Sequence, residues 1–177
     1  MSAPIVAIIG KSNSGKTTLM EKLIKLLRQR GYRVATIKHH IHTDRWSFDM
    51  PGKDSYRHAQ AGAETVVLIS PLTTVIYTYP AEPPSPQAVA AGLTDIDLVL
   101  AEGFSQAGLP AIEVSRAERN HPLIGDPVYL LAVAADYPVE TTRPVFGLDD
   151  ISGLVDLIER EILQKIPPSP SKTDTSY

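Results

Sequence analysis

Eight consecutive residues near the start of the chain, Gly10, Lys11, Ser12, Asn13, Ser14, Gly15, Lys16 and Thr17, fit the pattern G-x-x-x-x-G-K-[ST]. This is the phosphate loop, or P-loop. Its glycines let successive backbone N–H groups turn inward on an anion, and the helix that follows adds the partial positive charge of its N-terminus. In that chemistry Lys16 reaches the β- and γ-phosphate oxygens of a nucleoside triphosphate, and the Thr17 hydroxyl ligates Mg²⁺. Thr18 completes the candidate nucleotide-binding set. A glycine-containing turn with an exposed lysine is the alternative.

Such a loop needs an acidic partner at the end of a second buried strand. Asp97-Leu98-Val99-Leu100-Ala101 runs into Glu102-Gly103-Phe104, an apolar strand ending in an acid and then glycine. A carboxylate there holds Mg²⁺ directly or through water, which makes Glu102 a candidate for both catalysis and metal binding. An ordinary strand end is the alternative. Lys38-His39-His40-Ile41-His42 also ends a strand. Its three histidines fit either a polar loop or a metal-delivery site. Asp44 and Asp49 follow in the same loop; Asp49, beside Pro51-Gly52, is the candidate switch carboxylate for Mg²⁺ and catalysis, and a solvated loop aspartate is its alternative. Asp136, after a late strand, stands where an acid accepts hydrogen bonds from guanine N1 and N2 and so excludes adenine. Ala134-Ala135 precede it in place of the usual lysine, and a plain loop aspartate is again the other reading.

These groups need a frame. The run Ile5-Val6-Ala7-Ile8-Ile9 reads as a strand buried on both faces, and residues 17–30 carry Leu19, Met20, Leu23, Ile24, Leu26 and Leu27 at helical spacing. Gly31 stops that helix, and residues 33–37 form the next strand, which gives a βαβ unit. Farther on the spacing predicts a short helix over 55–63, a hairpin from strands 65–69 and 73–79, a stiff proline-rich connector and a short helix over 86–93. Strands over 97–101, 111–114, 129–134 and 145–146 follow, with a closing amphipathic helix over 150–166. The expected fold is α/β, a P-loop NTPase-like, mostly parallel sheet flanked by helices, with an inserted β-hairpin. Residues 1–166 make one nucleotide-binding domain, and the Pro/Ser/Thr-rich residues 167–177 are expected to be disordered.

Composition limits the function classes. The 177 residues hold 43% hydrophobic residues, no cysteine and a formal net charge of −3. That excludes disulfides and a thiol nucleophile, and it argues against a broad nucleic-acid footprint. No apolar run approaches the ~20 residues of a bilayer span. With no signal-peptide pattern at the N-terminus, the expected location is the cytoplasm.

Together these residues resemble the MobB family, P-loop GTP-binding accessory proteins of molybdopterin-guanine dinucleotide biosynthesis. The resemblance rests on the P-loop, on Pro51-Gly52-Lys53-Asp54-Ser55-Tyr56-Arg57-His58 with Ala61-Gly62-Ala63 behind it, and on Leu100-Ala101-Glu102-Gly103-Phe104. It covers roughly residues 5–136. Ser105 stands where the family often has lysine, so no role of that lysine carries over. The resemblance implies a homodimer, GTP and Mg²⁺ binding, weak hydrolysis, and work beside the molybdenum cofactor guanylyltransferase, which attaches GMP to molybdopterin; molybdopterin itself is a further candidate ligand. Lys11 sits where one dimeric P-loop subgroup carries a lysine that reaches the partner's nucleotide. Ser12 and Asn13 replace that subgroup's glycines, and an exposed lysine is the alternative.

Three other functions compete. A small-molecule kinase needs an arginine-rich lid, and after Glu102 no such cluster appears, with Arg116 and Arg119 standing alone. A metallochaperone GTPase would use the histidine cluster, and a non-enzymatic adaptor would use nucleotide to set its conformation. The hairpin carries Val66, Val67, Leu68, Ile69, Val75, Ile76 and Tyr77, apolar on both faces. A hairpin of that kind is expected to be covered by a second copy on one face, or by the domain core on both.

Overall fold

The computed structural model describes residues 2–40, 52–119 and 121–164. Asp44, Asp49, His42 and residues 167–177 lie outside them. By contacts the chain divides into two compact units. One is built from the described residues of Met1–His39 and Pro86–Tyr177, the other from those of His40–Ser85.

The first unit is a six-stranded parallel sheet. Its strands are β1 (Ile5–Ile9), β2 (Val34–Lys38), β5 (Leu98–Glu102), β6 (Ala111–Ser115), β7 (Leu130–Ala135) and β8 (Val145–Gly147), in the order β2-β5-β1-β6-β7-β8. All five residues of β1 are buried. Val6 and Ile8 face one apolar cluster, whereas Ile5, Ala7 and Ile9 face the other. A strand packed on both sides needs an unbroken apolar run rather than alternation. Helix α1 (Lys16–Gln29) buries Leu19, Met20, Leu23 and Leu27 in the first cluster, each worth about 1.5–3 kcal/mol of hydrophobic stabilisation.

Helix α4 (Ile151–Ile158) packs beside α1 through Leu154, Val155, Leu157 and Ile158. It is capped by Asp150, whose Oδ1 accepts the Gly153 N–H at 3.0 Å. Arg30, the C-cap of α1, ties the pair with ion pairs to Asp156 at 2.6 Å and Glu159 at 2.7 Å. The helix anticipated over 150–166 is therefore α-helical for eight residues. It then widens into a π-helical turn over Glu159–Leu163, where i→i+5 bonding takes over, as in Gln164 N–H to the Glu159 carbonyl.

The second unit holds α2 (Asp54–Gln60) and an antiparallel hairpin of β3 (Thr65–Ile69) and β4 (Thr74–Thr78). Helix α2 begins one residue earlier than its pattern suggests and ends at Gln60, because Gly62 takes φ 103° and turns the chain away. Val67 lies directly opposite Ile76. Val66 is buried, but Val67, Ile69 and Ile76 are exposed by 49%, 82% and 62%, so one face of the hairpin is open apolar surface. The connecting helix α3 (Pro86–Ala91), in the first unit, is shorter than the expected 86–93 and buries Ala90 in the second cluster.

Candidate functional site

Strand β1 sits between β5 and β6. The connection from β1 runs to β2 on one side, and the connection from β5 runs to β6 on the other, which opens a crevice at the carboxyl ends of β1 and β5. The loop of residues 10–15 begins there. Gly10 has φ 137°, and a Cβ on it would lie 2.4 Å from the Val114 carbonyl oxygen of β6. Backbone against backbone has nowhere to yield, so this position admits only glycine. Asn13 adopts φ 60° and Gly15 φ 96°, which curls the chain into the first turn of α1. Ser14 is buried, and among the described residues its Oγ has no hydrogen-bond partner. A buried hydroxyl left unpaired costs ~1–3 kcal/mol and is the kind of group a bound ligand or water satisfies.

Lys16 folds back over its own loop. Its Nζ donates to the carbonyls of Gly10 at 3.0 Å and Lys11 at 2.8 Å. Desolvation holds its ammonium below the ordinary lysine pKa; Glu102 opposes that shift, and Lys38 adds to it. Next to it, Thr17 Oγ1 donates to both oxygens of Glu102, at 3.1 and 3.2 Å. The register explains how residues 85 apart meet: Glu102 pairs with Ile8 of β1 on one side and with Lys38 of β2 on the other. A hydroxyl and a carboxylate sharing one spot are the hard oxygen donors that Mg²⁺ selects. The donor set fits the metal that the motif implies.

Ser12, Asn13, Gly15, Lys16, Thr17, Thr18, Lys38 and Glu102 line a cleft of about 440 Å³. Lys11 is exposed and borders a separate, smaller recess with Ser14 and Arg116. Asp136 follows β7 and is exposed. Its Oδ1 accepts the Ala117 N–H at 2.8 Å, which fixes the 3-10 turn Ala117–Arg119 that follows β6. The structure thus gathers Lys16, Thr17, Thr18 and Glu102 around one cleft and sets Asp136 at the end of β7. Asp49 lies outside the described residues.

Three residues named or passed over in the sequence without a site role belong to the site. Lys38 places its Nζ 3.3 Å from Glu102 Oε1. Arg116 donates from Nε to the Ser14 carbonyl at 3.0 Å and lies against Gly15, where a Cβ would meet its Nη2 at 3.1 Å. Both residues stand at or just past the carboxyl end of a strand adjoining the crevice, and that position was the available signal. Behind them, Glu113 is buried in β6 and accepts the Ile124 and Gly125 N–H groups, each at 2.8 Å. In the sequence it is one residue of the strand expected over 111–114. Farther along the rim, the His39 ring stacks on Phe104 with centroids 4.8 Å apart, and Phe104 holds an unusual φ of 60°.

The family model for "Molybdopterin guanine dinucleotide synthesis protein B" matches residues 5–136. The chain belongs to the MobB family. A molybdopterin-guanine dinucleotide biosynthesis adapter protein of Haemophilus influenzae is 41% identical over 158 residues, covering 88% of each chain. Its counterpart from Escherichia coli K12 is 34% identical over 88% of this chain and 91% of that protein. Among solved structures, a molybdopterin-guanine biosynthesis protein B shares 30% identity at TM-score 0.66, covering 88% of this chain and 98% of the other. The MobB of Bacillus subtilis shares 25% identity at TM-score 0.70, covering 89% and 96%. The fold is the P-loop NTPase-like fold of MobB proteins.

Proposed function

We propose that this MobB protein binds GTP with Mg²⁺, hydrolyses it weakly, and acts as a cytoplasmic homodimer beside the guanylyltransferase that attaches GMP to molybdopterin. The observation that carries this reading is the meeting of the Thr17 hydroxyl and the Glu102 carboxylate beside Lys16, at the mouth of an open cleft. Lys16 exchanges the two loop carbonyls for β- and γ-phosphate oxygens, while backbone N–H groups of residues 13–17 surround the β-phosphate. Bound at Thr17 and Glu102, Mg²⁺ supplies neutralisation of the charge on those oxygens. Asp136 has its Oδ1 engaged with Ala117 and offers its other oxygen to guanine N–H groups. The adapter names of the relatives support a role in partnership with another enzyme. The open apolar face at Val67, Ile69 and Ile76 supports a second copy of the chain.

Binding of the purified guanylyltransferase, measured by calorimetry with GTP, GDP, a non-hydrolysable GTP analogue and no nucleotide, tests the reading. Tighter association with GTP or its analogue is the expected result. Association indifferent to all four conditions overturns it.

A further inference from the structure

Lys38 has no part in the phosphate-loop motif, yet the sheet delivers it to the metal side of the cleft. It is the last residue of β2 and pairs in parallel register with Glu102, the last residue of β5. Its Nζ stands 3.3 Å from Glu102 Oε1, and its side chain is 58% exposed and lines the cleft. Lys16 lines the same cleft. Two lysines of like charge thus flank one carboxylate, and Thr17 donates to that same carboxylate. Such a grouping is short of negative charge and suits an incoming polyanion.

We propose that Lys38 is a second phosphate-binding cation of this site and a competitor of a divalent cation for Glu102. This rests on the nucleotide-binding reading above. Its ammonium lies 3.3 Å from Glu102, the carboxylate that would hold a divalent cation. A metal–triphosphate outcompetes it there, since two positive charges on a carboxylate outweigh one. The freed side chain, on a flexible four-carbon stem, then turns to the terminal phosphoryl oxygens. Lys16 grips the β–γ region from the loop side, and Lys38 closes on the γ-phosphate from the β2 side. A diphosphate carries no group for it to hold, so Lys38 favours triphosphate over diphosphate.

The test uses the full chain with Lys38→Met, which keeps length and removes charge, and Lys38→Arg, which keeps charge. Fluorescent GTP and GDP analogues give the GTP:GDP affinity ratio, and electron paramagnetic resonance of Mn²⁺ at saturating GDP gives metal affinity. Lys38→Met is expected to lower the GTP:GDP ratio about tenfold, the loss of one charge-assisted contact, and to tighten Mn²⁺ binding about threefold by removing its competitor. Lys38→Arg is expected to keep the ratio near that of the parent. If Lys38 merely braces Glu102, Lys38→Met weakens Mn²⁺ and lowers both nucleotide affinities together. A ratio unchanged in Lys38→Met, or a Mn²⁺ affinity that fails to rise, overturns the inference. Lys16→Ala runs alongside: nucleotide binding that survives its loss refutes the underlying site, whereas binding that depends on Lys16 but ignores Lys38 refutes this inference alone.

Discussion

Replacing Lys16 with alanine separates ligand binding from folding, and the structure sets the size of each effect. Nζ donates to two carbonyls at 3.0 and 2.8 Å. On binding, those acceptors are exchanged for two phosphate oxygens, so the number of hydrogen bonds does not change. What changes is the charge of the acceptor. A unit charge pair at ~4 Å and an effective dielectric of ~20 is worth about 4 kcal/mol, and the open cleft screens up to about half of that. The expected loss in Lys16→Ala is therefore about 2–4 kcal/mol, or roughly 30- to 1000-fold in GTP affinity. The fold loses two half-exposed bonds, at most ~2 kcal/mol, and recovers part of it because a desolvated ammonium is removed. For a chain of this size that is a fall in Tm of less than about 8 °C. Titration with a fluorescent GTP analogue and a thermal melt measure the two. An affinity within threefold of the parent, or a Tm drop far beyond that limit, refutes the reasoning.

Asp136→Asn is expected to weaken GTP relative to ATP by about 1–3 kcal/mol, read as a change in the ratio of the two dissociation constants; an unchanged ratio makes Asp136 a structural brace for Ala117. Glutamate at both Val67 and Ile76, directly opposite each other on the exposed hairpin face, is expected to lower the mass seen by light scattering toward that of one chain. A parent that is itself monomeric at micromolar concentration refutes the dimer. Hydrogen bonds from the Arg33 side chain and backbone N–H hold the Asp97 carboxyl below its usual pKa, so its contribution to stability is present above the unfolded-state value near 4 and is lost as pH falls through the folded value. Asp97→Asn is thus expected to cost about 1–3 kcal/mol at pH 7, a gap that narrows in acid denaturation below pH 4; a gap independent of pH refutes the linkage.

Local sequence carried a large part of this protein. Steric rules and side-chain periodicity act over a few residues, so the apolar run of β1, the stripe on α1 and the glycines of the loop announce themselves without any partner. The same holds for Glu102, an acid closing an apolar strand. Residue spacing cannot state register, because register depends on which strands become neighbours. Only the order β2-β5-β1-β6 sets Lys38 against Glu102 and brings Arg116 under the loop at Ser14. The burial of Glu113 is likewise a tertiary decision: a charge within an apolar strand is tolerated because the backbone N–H groups of Ile124 and Gly125 return to meet it. The change of hydrogen-bond pattern near the C-terminus is likewise absent from the spacing. The apolar stripe runs on through Ile162, but the i→i+4 pattern gives way at Glu159, whose carboxylate pairs with Arg30, the C-cap of α1. Motif residues were legible because their chemistry is written into consecutive positions, and their neighbours were not, because long-range strand pairing put them there.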